Sequence, residues 1–177
     1  GDPYDDSLNP DKFGSGGGSN GAYSGGVGGG AIHLVISNNF THNGMISADG
    51  GVGTGSSSSL AGGGGSGGSI WVETYTFHGT GDFSAIGGGG YDASTVDGAE
   101  GGGGSGGRIA VYYNISTFSD MTNSTVAGGN GPDGATDGDA GTIGFIDRDD
   151  NLLDIISGWE FQANANYSNI TFHPASI

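Results

Sequence analysis

The sequence contains no cysteine, few basic residues, few prolines and no long apolar run. Without cysteine, neither a disulfide nor a thiolate metal site can form. The absence of cysteine does not indicate whether the protein resides in an oxidising or a reducing compartment. The hydrophobic share of 33% is low for a globular chain. No stretch approaches the roughly 18 consecutive apolar residues that a membrane-spanning helix needs, so we expect no membrane insertion.

The charge of the chain is strongly one-sided. Three basic residues stand against nineteen acidic ones, which gives a formal net charge of −16. A surface of this sign repels phosphate backbones and anionic lipid headgroups, so we expect no nucleic-acid partner and no acidic membrane as a partner. The same surface favours solubility and attracts divalent cations.

Glycine is the abundant residue, with 43 of 177 positions. No Gly-X-Y period accompanies it and there are only four prolines, which excludes collagen. Two interpretations compete. The glycine runs are either flexible connectors or extended, polyproline-II-like segments packed so closely that a Cβ would clash. The order GGGGSGG occurs at 62–68 and again at 101–107. This identity favours ordered packing, because a linker has no need to keep its order.

Between the glycine runs, three blocks repeat at a nearly constant spacing. Each opens with an alternating, strand-like run, and the first branched residues of these runs are Ile32, Ile70 and Ile109. They lie 38 and 39 residues apart. Each block then reaches a phenylalanine, and these are Phe40, Phe77 and Phe118. Such spacing is typical of repeat architectures, and a further strand at 142–146 opens a divergent last unit.

Period-two alternation places the branched residues of each run on one buried face. A shorter second strand is predicted in each unit, at 45–48, 83–86 and 124–127. Glycine at this density opposes helix. We therefore predict an all-β, glycine-rich repeat fold, β-solenoid-like or β-sandwich-like, with no substantial helix. The predicted organisation is residues 1–146 as repeats, with units of about 28–61, 62–100 and 101–140, followed by a divergent segment at 147–177.

The C-terminal segment has two candidate roles. Its apolar residues could cap the open end of the repeat stack, and these are Leu152, Leu153, Ile155, Ile156, Trp159 and Phe161. Alternatively, the extended stretch Ser168, Asn169, Ile170, Thr171 and Phe172 could add a strand to the sheet edge of a neighbouring subunit, a recurrent way to polymerise.

The segments GDPYDD, GGGAIHLVIS, GGGGSGGSIWVE and GGGGSGGRIAVYY, in this order, resemble the glycine-rich repeat region of very large secreted surface proteins of microbes. The resemblance covers residues 1–147 and implies a β-helical or otherwise repetitive fold at a cell surface. It brings no catalytic motif with it. A looser similarity to the glycine-rich extracellular region of a class of animal receptor tyrosine kinases, which carries disulfides, serves only as an analogy for how glycine segments pack.

Five Asn-x-Ser/Thr sequons mark candidate glycosylation sites, at Asn39, Asn114, Asn123, Asn166 and Asn169. In a secreted protein such sites lie on the surface, and glycans there shield strand edges. The alternative is chance occurrence in a chain rich in serine and threonine. The chain begins at Gly1 and not at methionine. This start is expected if a signal peptide or a longer precursor segment has been removed, and it is equally expected of a truncated chain.

We expect the protein to have no cofactor. If it binds a ligand, the oxygen-rich loops favour calcium. One candidate set, Asp147, Asp149 and Asn151, resembles the start of an EF-hand loop. Leu152 then occupies the glycine position and Gly158 the glutamate position, which excludes an EF-hand. The second set is Asp133, Asp137 and Asp139. The competing interpretation is that these residues only form Asx turns.

Catalysis has little support in the sequence. The four histidines show no metal-binding spacing, no G-x-S-x-G elbow links a strand to a helix, and GGGGSGG lacks the lysine of a phosphate loop. We therefore predict that the protein is not an enzyme. A set of aromatic residues could instead form a sugar-stacking face, and these are Trp71, Tyr75, Tyr112, Tyr113 and Trp159. The alternative is that both faces of the strands are buried.

These observations favour an extracellular structural glycoprotein, a subunit of a surface layer or fibre. Its expected partners are copies of itself or neighbouring surface proteins, held by non-covalent β contacts. The alternative is a carbohydrate-binding adhesin module of a larger surface protein, with glycans as partners.

Overall fold

The computed structural model describes residues 6–56, 60–93, 100–159 and 166–173. Within these residues the chain is mostly strand, with two single 3-10 turns at Met121–Asn123 and Pro132–Gly134 and no α-helix. The all-β prediction is confirmed. The strands are β1 Ala31–His42, β2 Met45–Ser47, β3 Gly55–Ser56, β4 Leu60–Ala61, β5 Ser69–Gly79, β6 Asp82–Ser84, β7 Arg108–Tyr113, β8 Ile115–Ser116, β9 Thr142–Asp147, β10 Leu152–Ser157 and β11 Asn169–Phe172.

One main sheet carries the order β1-β5-β7-β9-β10-β11, and β8 pairs with the end of β5. The first four strands are parallel, β10 runs antiparallel to β9, and β11 runs parallel to β10, so the sheet is mixed. A second, parallel pair is formed by β2 and β6. A short antiparallel pair, β3 and β4, lies at the end of the first unit.

In the main sheet, equivalent residues of successive repeat units are cross-strand partners. The anchor residues Ile32, Ile70, Ile109 and Ile143 are consecutive partners across the four parallel strands. The last three are fully buried. Equivalent residues of successive units therefore stack on one face, as period-two alternation predicts.

A row of aromatic rings continues the core beyond the isoleucines. Phe40 pairs with Phe77 in register, and the rings of Phe77 and Phe118 stack with centroids 4.2 Å apart. Phe83 and Phe145 close the cluster with centroids 6.3 Å apart. The recurring phenylalanine of each block thus places a ring in one continuous core.

The second strand of the third unit is shorter than predicted. Residues 124–127 form only an isolated bridge between Thr125 and Ser84, whereas β2 and β6 form a ladder of three pairs. Among the described residues, no short strand of a fourth unit lies beyond Thr125. An open cleft of about 480 Å³ occupies that position, lined by residues that include Val126, Ile143 and Ile156.

The glycine runs are ordered and hydrogen-bonded to one another. In the described residues they form tracts 14–18, 25–30, 48–54, 62–68, 85–91, 101–107, 126–130 and 136–141. Along 62–68, successive backbone N–H groups donate to 48–54, then 14–18, then 101–107, and this order of partners repeats. A return every third residue is the period of polyproline II, which has no internal hydrogen bonds. Ordered packing is confirmed, and the flexible-linker interpretation is wrong.

Asp49 fastens the first unit to the second at the surface of these tracts. Its carboxylate accepts hydrogen bonds from the hydroxyls of Ser47 and Ser84, at 2.6 Å each, and from the backbone N–H of Ile86 at 2.9 Å. Partial burial opposes ionisation of this carboxyl. The hydrogen bonds outweigh that effect and lower the pKa of Asp49 below its ordinary value.

The stability of the protein is expected to depend on Asp49 in a pH-dependent way. Because its pKa is lower in the folded state, the carboxylate stabilises the fold above its unfolded pKa of about 3.9 and loses this contribution as the pH falls through the folded pKa. Asp49→Asn should therefore melt at a lower temperature than the wild type at pH 7, with the two converging near pH 2. Circular dichroism melts across this range test it. A constant difference between the two proteins at every pH contradicts the assignment.

Candidate assembly edges and ligand surfaces

The C-terminal strand β11 is the outer strand of the main sheet. It pairs in parallel with β10 of its own chain, and no described strand pairs with its other edge. The pairing is extended by hydrogen bonds at both ends, from Ser168 N–H to the carbonyl of Asn151 and from His173 N–H to that of Ile155, each 2.9 Å long. The predicted assembly stretch 168–172 thus forms a strand within its own chain. Addition to a neighbouring sheet stays a prediction.

The apolar side chains of β11 are displayed to solvent. Ile170 is 41% exposed and Phe172 is 68% exposed. They lie beside Leu153 and Ile155, which are buried in a second small core with Ile146. Cross-strand partners lead from Ile170 row by row to the far edge of the sheet, in the order Leu153, Ile146, Tyr112, Glu73 and Val35. Both outer strands therefore present apolar residues on one face.

The other outer strand is β1, which pairs only with β5 among the described residues. Val35 on this strand is 69% exposed. The strand has twelve residues, which makes it a long edge with unpaired backbone groups. Such an edge is a template for pairing with another chain unless it is covered.

The C-terminal residues that were predicted to cap the repeat stack differ in how deeply they are buried. Leu153, Ile155 and Ile156 are buried. Leu152 and Trp159 are half-buried, and the Trp159 ring lies against the backbone of Gly144. Phe161 lies outside the described residues. Because β10 is antiparallel to β9, it ends the parallel stack of units.

The five candidate sugar-stacking aromatics do not share one exposed face. Tyr113 points into the phenylalanine core and is buried, so its inclusion was wrong, because alternation places it opposite Tyr112. The hydroxyl of Tyr112 donates to the carbonyl of Leu8 at 2.7 Å, and burial raises the pKa of Tyr112 above its ordinary value. The N-terminal segment thus covers this tyrosine, which sequence patterns did not predict.

The remaining members of that set lie in different surroundings. The Trp71 ring stacks on His33 with centroids 3.8 Å apart. Tyr75 is 51% exposed and borders a shallow depression of about 250 Å³ that also contains Glu73 and Arg148. The hydrogen bond from Arg148 is the main reason that the pKa of Glu73 lies below its ordinary value. Glycan binding here stays a prediction.

The first predicted calcium set forms a turn between β9 and β10. Asp147 Oδ1 accepts the backbone N–H groups of Asp149 and Asp150 at 3.0 and 3.1 Å. Asn151 adopts a positive φ of 50° and donates to the carbonyl of Asn166 at 3.0 Å. These contacts are those of an Asx turn.

The second predicted calcium set is also engaged in turn contacts. Asp133 has a positive φ of 44°, and Asp137 accepts the N–H of Gly131 at 2.7 Å. Asp139 is exposed, and its carbonyl accepts the N–H of Gly106. Within the described part of the chain, no group of three or more His, Cys, Asp or Glu side chains could hold a metal ion. Calcium binding stays a prediction.

The sequon asparagines differ in exposure. Four of them are exposed, and these are Asn39, Asn123, Asn166 and Asn169. Asn114 is half-buried and donates to Asp149 Oδ1 at 2.7 Å. Asn39 lies on the edge strand β1, and Asn169 begins β11. Glycosylation of these sites stays a prediction.

Comparisons with known proteins bring no relative. No protein-family model, no curated protein and no solved structure matches the chain. None of the helical turns among the described residues is long or apolar enough to cross a membrane.

Proposed function

We propose that the chain is an extracellular structural glycoprotein, a β-solenoid-like subunit of a surface layer or fibre assembled through non-covalent β contacts. The observation that carries this proposal is the pair of outer strands, β1 and β11, which end one sheet with unpaired edges among the described residues. The solenoid-like stack is supported by parallel strands one unit apart that keep the isoleucines in register.

The directions of the two outer strands suit pairing between copies. Strand β11 is parallel to β10, which is antiparallel to β9 and hence to β1. The β11 edge of one copy can therefore join the β1 edge of the next as an antiparallel ladder. Val35, Ile170 and Phe172 lie on the same face of the sheet, so this contact brings exposed apolar side chains together. Such a head-to-tail contact yields an open fibre unless the rotation between successive copies closes it into a ring.

Electron microscopy and light scattering of the purified chain test this function. We expect filaments from the wild type. Ile170→Asp introduces a charge on the β11 edge, a device by which natural sheets avoid edge pairing. It should lower the filament mass at least about tenfold, which corresponds to ~1.4 kcal/mol per contact, and leave a folded monomer. Tyr75→Asp, at an exposed position inside the sheet, is the matched control and should assemble normally. A wild type that stays monomeric by both methods at high concentration overturns the proposal.

A further inference from the structure

The short second strands of the repeat units form a second layer, whose backbone hydrogen bonds recur from unit to unit. The N–H of Ala48 in the first unit donates to the carbonyl of Ser84 in the second at 2.8 Å. The N–H of Ala85 in the second unit donates in the same way to the carbonyl of Thr125 in the third at 3.0 Å. The equivalent residue of the third unit is Val126, which is buried, and its N–H has no hydrogen-bond partner among the described residues.

A second N–H at the same edge also lacks the partner that its equivalents have. The N–H of Gly50 donates to the carbonyl of Ile86 at 2.8 Å, and that of Gly87 donates to the carbonyl of Ala127 at 2.9 Å. Gly128 is the next member of this series. Within the described part of the chain, its N–H makes no hydrogen bond.

An unpaired acceptor completes the edge. The carbonyl of Phe83 accepts the N–H of Thr125 at 2.9 Å. Because Thr125 bridges Ser84 in parallel, Ser124 is the equivalent of Phe83 one unit further on. The carbonyl of Ser124 accepts no hydrogen bond from any described residue. Most backbone groups in buried surroundings are paired, so two unpaired donors and one unpaired acceptor in equivalent positions indicate a layer that lacks its next strand.

The open cleft of the fourth unit lies against this edge. Ser124 and Val126 line it on one side, and Ile143 and Ile156 contribute apolar surface to it. Ile143 is the fourth member of the buried isoleucine row, so the fourth unit has its main-sheet strand beside a vacant second-layer position among the described residues. None of the described residues that line the cleft carries a charge.

The second unit defines what a strand in this position has to carry. Phe83 and Ala85 face the core, and Gly88 follows three residues after Ala85. A Cβ at Gly88 would overlap the carbonyl oxygen of Gly51 in the first unit, and a Cβ at Gly129 would overlap that of Gly88. A strand after the third unit therefore needs glycine where a Cβ would meet the carbonyl of Gly129. The required pattern is an apolar residue, a small residue two positions later and glycine three positions after that.

We propose that this cleft binds an extended, glycine-containing strand of another polypeptide, which adds in parallel to the edge at 124–128 and completes the second layer. In such strand addition, main-chain hydrogen bonds supply affinity and alternate side chains supply specificity. Strands β2 and β6 of the chain itself match the pattern, but they are paired with each other over their own core. They are therefore not free to enter the cleft of a second copy. The site lies apart from β1 and β11 and does not depend on the fibre contact.

Isothermal titration calorimetry of the full chain with a synthetic peptide tests this site. The peptide is residues 44–53 with capped ends and Asp49→Ala, because alanine occupies the equivalent position, Ala127, in the third unit. We expect saturable binding of one peptide per chain. Gly51→Val in the peptide should weaken binding at least about tenfold, since its side chain would overlap the Gly129 carbonyl. Asp49→Val, which places the same side chain where the second unit has Ile86, is the matched control and should bind like the parent peptide.

Substitutions in the protein test the location of the peptide. Ala140 is exposed and lines the cleft, so Ala140→Trp fills the cleft from its rim and should weaken binding at least about tenfold. Ala22→Trp is the matched control, because Ala22 is exposed in a turn that does not line the cleft. Its affinity for the peptide should equal that of the wild type.

Several results would overturn the proposal. These are no binding at millimolar peptide, equal binding of the parent and Gly51→Val peptides, and unchanged binding to a folded Ala140→Trp. The comparison of peptides decides the matter even if Ala140→Trp fails to fold. A wild-type dimer that the peptide dissociates also contradicts the proposal, because a second copy then fills the cleft. Ile170→Asp should bind the peptide like the wild type, so the fibre contact and the cleft can fail independently.

Discussion

Gly64→Ala is expected to destabilise the protein by at least about 3 kcal/mol, the upper end of the usual cost of overpacking. Gly64 is buried in the central tract, and an added Cβ would overlap the backbone carbonyl of Gly88. Backbone on both sides has to move, because no flexible side chain is there to give way. For a chain of this length, the melting temperature should fall by roughly 6–12 °C, as measured by circular dichroism.

Gly30→Ala is the control for this prediction and should act in the opposite direction. No atom lies within 4 Å of the Cβ position at Gly30. The substitution therefore reduces only the freedom of the unfolded chain, which stabilises a protein by about 0.4–1 kcal/mol. If Gly64→Ala and Gly30→Ala melt alike, the tracts are not close-packed and the array described above is incorrect.

Phe77→Ala is expected to cost about 3–5 kcal/mol, because it leaves a cavity at the centre of the aromatic core. Phe77 is fully buried. Its ring contacts those of Phe118 at 4.2 Å and Phe40 at 5.8 Å between centroids, and it also approaches Phe145 at 6.4 Å. Tyr113 on β7 adds a further ring at 6.2 Å, so Phe77 approaches an aromatic ring from each of the other three parallel strands.

Chemical denaturation measures this loss, and Tyr75→Ala on the same strand is the control. Tyr75 points to the opposite face and is half-exposed, so its removal should cost less than about 1 kcal/mol. Equal losses for the two variants would show that the rings do not form one core.

Much of the strand framework could be predicted because it depends on the pattern of branched side chains along the sequence. Ile32, Ile70 and Ile109 recur 38 and 39 residues apart and are partners across neighbouring strands of the sheet. The period of two also predicts which face each of them occupies. Burial of branched residues and parallel stacking are thus two consequences of one pattern.

The partners of each glycine tract could not be predicted. Glycine has no side chain to distinguish one tract from another, so sequence gives no register between them. The identical order at 62–68 and 101–107 indicated packing, but only the three-dimensional arrangement reveals that residues 14–18 bond to the first copy, whereas Gly102 and Ser105 of the second are exposed.

The candidate surfaces were predicted less well than the framework, for a physical reason. Alternation assigns faces but does not say what lies over them. Tyr112 was therefore expected on an accessible face, although the carbonyl of Leu8, more than a hundred residues away, accepts its hydroxyl hydrogen. The acidic loops carry ligand-type oxygens, yet Asp147 and Asp137 bind backbone N–H groups of their own turns. Local sequence does not separate these two uses.

The changing direction of the hydrogen bonds along the central glycine tract, 62–68, has a mechanical consequence. A pleated sheet resists being pulled apart in its own plane, where its hydrogen bonds lie, but only side-chain packing opposes peeling of one layer from another. Along this tract, donors point to three different neighbours in turn, so a sideways load towards any of these neighbours is opposed by backbone hydrogen bonds. The centre of the array is thereby bonded in more than one plane, without a cross-link or a bulky side chain.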